Sequence, residues 1–195
     1  LGGDTTKGNL SITLNVTGIV PQHKALLRSS AKMGDIIIVS NTIGDAALAW
    51  HQIQQGGQPN QKLLTHFNRP EPQVKLGQSL IGVANACIDI SDGLEQDLGH
   101  ILKRSKLGAQ INLSDLPLSQ SVADYVKKTH DWCLPLAGGD DYQLCFTIAP
   151  DKLELMKTLE SELGIQLTAI GTINKGLGVE RLGGFNKKCT AYQHF

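Results

Sequence analysis

Residues 88–102 read IDISDGLEQDLGHIL, and the way this stretch divides decides the architecture around it. Ile88 and Ile90 close a short apolar run that starts at Ala86, the pattern of a buried strand. From Leu94 the apolar residues change spacing: Leu94, Leu98, Ile101 and Leu102 lie on one helical face, so a helix is expected to begin near Gly93. Two acids, Asp89 and Asp92, stand at the join with Ser91 between them. In an extended chain Asp89 and Ser91 point to the same side, and Asp92 lies at the positive end of the helix dipole. Two readings follow. Ser91 or Asp92 caps the helix, which accounts for one acid only. Alternatively, the acids seat a divalent cation with phosphate oxygens beside it, since hard cations take such ligands and two close carboxylates otherwise repel.

Outward from this join, strand and helix patterns alternate. At the start, LGGDTTKGN is a glycine-rich turn, and Leu10, Ile12, Leu14 and Val16 alternate behind it as one face of a strand. The stretch GDIIIVSNTIGDAALAWHQIQQ predicts a strand over 36–39 and a helix over about 45–55, followed by the loop QGGQPNQ. RPEP punctuates the chain at 69–72, and 74–84 has helical character. Beyond residue 102 the pattern predicts a strand at 109–113, a helix near 119–128 and the glycine loop LAGGDDY. A strand at 142–148, a helix at 152–163 and an end that is strand-like from 166 to 173 and beyond, with further Gly turns, complete it. The class is α+β with mixed α/β character, and the pattern leaves strand direction open.

The chain has 195 residues, 41% of them hydrophobic, enough for one substantial core. Lys plus Arg and Asp plus Glu both number 18, so no global basic surface points to nucleic acid. Cys87, Cys133, Cys145 and Cys189 are widely spaced with no C-x-x-C pair, and are read as reduced core thiols of a cytosolic protein. No run approaches the ~18 apolar residues of a membrane span, and no charged-then-apolar stretch opens the sequence. A cytoplasmic protein without membrane contact is the expectation.

Three acidic loops carry the candidate chemistry: GGDTT with Asp4, IDISDG with Asp89 and Asp92, and AGGDDY with Asp140 and Asp141. Singly, each reads as a structural turn, because Gly supplies positive φ and Asp bonds its own loop backbone. Together they are less ordinary, since two adjoin apolar strands where α/β proteins place ligands. Neither common phosphate-loop motif occurs, so phosphates would be held through metals. Arg28 and Lys32 form a basic stretch that reads as a solvated face, although the planar Arg28 fork also suits a phosphate. The six histidines are scattered; His100 lies two turns along the helix and reads as structural.

In order along the chain, GGDTTKG, ALLRSSAKMGD, TIGDAALA, RPEPQVKLG, IDISDGLEQDLGHIL, LPLS, AGGDDYQL and AYQHF resemble the thiamine-monophosphate kinase family. That family belongs with aminoimidazole ribonucleotide synthetase and selenophosphate synthetase. The resemblance covers essentially the whole chain, and IDISDGL followed by DLGHIL is its most specific part. It implies a mixed sheet covered by helices, the C-terminal domain of the aminoimidazole ribonucleotide synthetase-like fold. It implies ATP- and magnesium-dependent phosphorylation of thiamine phosphate to thiamine diphosphate by a homodimer. Asp4, Asp89 and Asp92 then match magnesium ligands, and Gly3, Asp4, Arg28 and Ser91 match the nucleotide site. Asp140 stands where the family has Glu, beside the thiamine portion, and Tyr192 matches a carboxyl-terminal aromatic near the same substrate. The shorter Asp140 arm leaves Asp140 and Asp141 both open as that contact.

The resemblance further implies that residues 1–23 are the last strand and nucleotide loop of an N-terminal ATP-binding and dimerisation domain, and 24–195 the C-terminal domain. Such a piece is expected to be inactive alone. No catalytic side chain is expected, because a phosphate monoester with a second pKa of about 6 is already largely ionised near neutral pH. The barrier is charge repulsion between two anions, which metal ions and Arg relieve by positioning and neutralisation. Other readings of the same residues are a phosphate-metabolite binding module without turnover and a sister ATP-dependent enzyme with another acceptor.

Overall fold

The uninterrupted apolar run IIIV can bury side chains on both of its faces, and the fold is built around it. The computed structural model describes residues 12–190. Its elements run β1 (Ile36–Ser40), α1 (Asp45–Gln54), α2 (Gln61–Asn68), α3 (Val74–Ser79), β2 (Ala86–Ile90), α4 (Leu94–Ser105) and β3 (Gly108–Asn112). Then come α5 (Gln120–Thr129), α6 (Cys133–Ala137), β4 (Gln143–Ile148), α7 (Leu153–Leu163), β5 (Leu167–Asn174) and β6 (Gly178–Leu182). The strands form one sheet in the order β2-β4-β1-β5-β3-β6. Every pairing is antiparallel except β3 with β6.

Alternation along the strands sends side chains to two cores. Ile37, Val39, Ile88, Ile90, Cys145 and Ile111 pack on one face against Leu94, Leu98, Ile101 and Leu102 of α4. Ile38, Phe146 and Ile148 face the other way, against Leu76 and Leu80 near α3 and Met156 and Leu159 of α7. A third apolar cluster joins α1, α2 and α5 through Leu48, Leu63, Val122 and Val126. Asp35 enters the sheet at only 2% exposure because its carboxylate is fully engaged: it accepts from Asn85 Nδ2, Thr147 Oγ1 (2.9 Å) and the Lys32 amide (2.9 Å). Glu95 of α4 and Arg181 of β6 form a two-pronged ion pair that fastens the far edge of the sheet to the helix.

Several expectations are corrected. The amino-terminal strand is absent from the described residues: 12–20 pair with no other strand, and Ile12, Leu14, Val16 and Ile19 are exposed. Alternation creates an apolar face, but a strand exists only where a neighbour completes its ladder. Leu10 lies outside the described residues. The helix of 74–84 stops at Ser79 and passes into turns that include Gly82 at φ 78°. Helices α2 and α6 were not expected as elements, whereas β6 falls in the strand-like stretch beyond Ile173. Helix α2 is set by Asn60, whose side chain accepts from the Leu63 amide at 3.0 Å.

The cysteines also differ from the expectation. Cys133 and Cys189 are joined in a disulfide, whereas Cys87 and Cys145 remain thiols. A separation of 56 residues hides the pairing in the sequence, yet the fold brings the two Cα atoms to 5.1 Å. Among the described residues no helix is long and apolar enough to cross a membrane.

Candidate functional site

The join at residues 88–93 forms as the spacing requires. β2 ends at Ile90, and α4 starts after Gly93, whose φ of 110° and close approach to the Ala137 backbone suit glycine alone. The capping reading, however, is reversed. Neither Ser91 nor Asp92 caps α4, and its N-cap residue Gly93 offers no side chain. Instead Asp97, buried one turn inside the helix, reaches back and accepts the backbone N–H groups of Ser91 and Asp92, both at 3.0 Å. Burial pushes the Asp97 carboxyl up, the charges of Asp92 and Asp89 add to that rise, and the two amides oppose it.

The second acidic loop closes onto the first. The Asp140 amide donates to Ser91 O at 2.9 Å, and the Tyr142 amide donates to Ile90 O at 2.8 Å. A Cβ on Gly139 would stand 2.5 Å from Ser91 O, so this contact between backbones depends on the missing side chain. Asp140 (φ 66°) and Tyr142 (φ 51°) both take the left-handed conformation, and the Tyr142 hydroxyl donates to Asp140 Oδ1 at 3.0 Å. Tyr142 has its hydroxyl pushed up by partial burial, then by Asp140 and by the more remote Asp89 and Asp92. Asp89, exposed at the edge strand opposite Leu144, completes an acidic rim with Asp92 and Asp140.

Beside the joined loops lies a cavity of about 640 Å³. Ser91, Gly139 and Asp140 form one side of it, and Trp50 of α1 and Phe67 of α2 another. The two rings stack with centroids 6.0 Å apart and an interplanar angle of 18°. Thr190 closes part of the rim, and the Cys133–Cys189 disulfide ties that carboxyl-terminal segment to the helix leading into Ala137 and Gly138.

The structure therefore brings Asp89, Ser91, Asp92 and Asp140 together. It separates Arg28, whose main-chain oxygen accepts from Ser105 Oγ at the far end of α4. The 12 residues of that helix correspond to roughly 16–18 Å at about 1.5 Å per residue. Gly3, Asp4 and Tyr192 lie outside the described residues. Asp92, Asp97 and His100 also place ligand atoms within 4.8 Å of one another. Sequence reasoning missed Trp50, Phe67, Tyr142 and Asp97. Only Asp97 left a signal: it falls on the same face as Leu94, Leu98 and Ile101, and an acid inside an apolar stripe requires donors to meet it. The two rings come from helices whose packing no local pattern reveals.

Residues 32–182 match the family AIR synthase related protein, C-terminal domain. Over 182 residues the chain is 44% identical to a thiamine-monophosphate kinase of Haemophilus influenzae, covering 91% of this chain and 56% of that protein. The crystal structure of a thiamine-monophosphate kinase from Stenotrophomonas maltophilia superposes with a TM-score of 0.78 at 39% identity, covering 83% of this chain and 54% of that one. The structure of AaThiL complexed with AMPPCP and TMP gives a TM-score of 0.72 at 28% identity, covering 87% and 54%. The chain thus spans about half the length of the relatives it matches.

Proposed function

Because this chain belongs to the family of AIR synthase related proteins, as their C-terminal domain, we propose that it forms the acceptor side of an ATP- and magnesium-dependent thiamine-phosphate kinase. The carrying observation is the cavity in which the Asp140 and Ser91 loops meet the Trp50–Phe67 stack. Thiamine phosphate joins a cationic thiazolium, an aminopyrimidine with N–H donors, and a phosphate. An aromatic wall suits the cation, a carboxylate at Asp140 suits the donors, and the acidic rim suits metal-bridged phosphate. The Tyr142 hydroxyl keeps Asp140 in one orientation. Similarity to thiamine-monophosphate kinases supports the same substrates.

The donor chemistry at the rim fits magnesium, since Asp89 and Asp92 offer hard carboxylate oxygens and the amide-bound Asp97 holds the Asp92 backbone in place. Asp89 and Asp92, with Asp4 from outside the described residues, would hold the ion, which supplies charge neutralisation between donor and acceptor phosphates. Ser91 and Gly3 are assigned to the nucleotide. Arg28 shares that assignment through the family resemblance, although it lies at the other end of α4. Tyr192, two residues beyond the cavity-lining Thr190, is assigned to the thiamine side. No side chain need remove a proton from an acceptor that is already ionised. The intact protein is a cytoplasmic homodimer in this reading.

ADP release with thiamine phosphate, measured on the intact protein against magnesium concentration, tests the proposal. Asp89→Asn and Asp92→Asn are expected to raise the magnesium requirement roughly tenfold or more, as each removes a charged ligand, and at the exposed Asp89 the thermal midpoint should hold. An unchanged magnesium requirement in both variants would refute the metal assignment.

A further inference from the structure

The loop that carries Asp140 has a second side. Asp140 faces the aromatic cavity, while Asp141 and Gln143 line a separate cavity of about 480 Å³. Helix α2 divides in the same way. Phe67 belongs to the first cavity, and Lys62, His66 and Arg69, spaced i, i+4 and i+7 on another face, belong to the second. We propose that this second cavity is a ligand site for a small phosphate monoester whose organic part carries hydroxyl groups, such as a sugar or polyol phosphate.

Charge comes first. Lys62 and Arg69 with His66 place three cation-forming side chains along one wall, and the planar Arg69 fork matches a phosphate in the way a point charge does not. The rest of the lining includes the carboxamides of Asn41, Gln143 and Gln166 beside two acids, Glu71 and Asp141. Gln143 is fixed by Ser40 Oγ (2.8 Å) and Asn41 Nδ2 (3.1 Å), and Asn41 in turn accepts from the Gln166 amide. Of the two acids in the lining, Glu71 is exposed.

Asp141 is the independent observation. It is 7% exposed; its Oδ1 accepts the Gly44 amide at 2.8 Å, and its Oδ2 has no hydrogen-bond partner among the described residues. A buried polar atom left without a partner costs free energy, and because Asp141 belongs to this lining a donor brought by a ligand would relieve that cost. Burial pushes the Asp141 carboxyl well up against the pull of the Gly44 amide, and Asp45 and Asp140 add to the rise.

The lining also limits the organic part. Among the described residues His66 is the one aromatic side chain in this lining, so little there stacks a nucleobase, whereas hydroxyls of Thr42 and Thr65 and the carboxamides suit a polyhydroxy group. Occupancy would be felt at Asp140 through one peptide bond, which makes the site a candidate control point for the aromatic cavity.

Calorimetric titration of the protein with ribose 5-phosphate and glycerol 3-phosphate, alongside ribose and inorganic phosphate, tests the assignment. At least one ester is expected to bind with a Kd of about 1 mM or tighter, and Lys62→Ala and Arg69→Ala each to weaken it roughly tenfold. Both residues are exposed, so the thermal midpoint should hold. Trp50→Ala in the other cavity should leave ester binding unchanged, which separates this site from the thiamine-phosphate reading. The proposal fails if neither ester gives heat, if the Lys62→Ala/Arg69→Ala double variant binds as well as the parent, or if inorganic phosphate binds as tightly as the esters.

Discussion

Asp97 shows how one residue organises a site it need not touch. Its carboxylate collects the Ser91 and Asp92 amides and so sets the backbone on which the acidic rim stands. Asp97→Ala should cost about 1–3 kcal/mol, because two partly buried donors lose their acceptor, and Asp97→Asn should recover part of that. Urea denaturation of both variants checks this, and an unshifted midpoint for Asp97→Ala would contradict it. Asp141 gives the pH prediction. A carboxyl raised by burial keeps its proton in the folded state where the unfolded chain has already lost it, so stability falls as pH rises from the ordinary aspartate range to the raised value. Asp141→Asn keeps the acceptor for Gly44 without the ionisation. Its stability should decline less across that window, and a decline as steep as the parent's would assign the effect elsewhere. The sequence displayed the Asp140–Asp141 pair but not its division between two cavities, because that depends on left-handed backbone at Asp140 and Tyr142.

At the scale of elements, β2 and α4 were legible because burial imposes periods of two and 3.6, and the apolar residues between 86 and 102 obey both. Leu98, fully buried on α4, is expected to cost about 2–5 kcal/mol on change to Ala, and a thermal shift near zero would mean that the stripe is not packed as described. Short α6 and the strand order were hidden, since a five-residue helix barely completes a turn and ladder partners are chosen across the whole chain. The disulfide belongs to the same class of long-range fact. Unreduced, denatured protein should titrate two thiols, Cys87 and Cys145, rather than the four of the sequence. Four would remove the bridge. In the folded state Cys87, pushed up to about 12 by burial and then by Asp89, should alkylate slowly.

The whole molecule is a sheet with helices on both faces, and its acidic rim and aromatic cavity gather where β2, α1, α2 and the loop before β4 converge. The sequence motifs pointed to the rim, while the Trp50–Phe67 wall emerged only from packing. The central claim is that the aromatic cavity takes the acceptor and not the nucleotide. The most direct measurement is steady-state kinetics of the intact protein with Asp140→Ala and Trp50→Ala, varying each substrate in turn. Each variant should raise KM for thiamine phosphate roughly tenfold, the loss of one charge-assisted or cation–π contact, with KM for ATP unchanged; an unchanged KM for thiamine phosphate, or an equal rise for ATP, would contradict it.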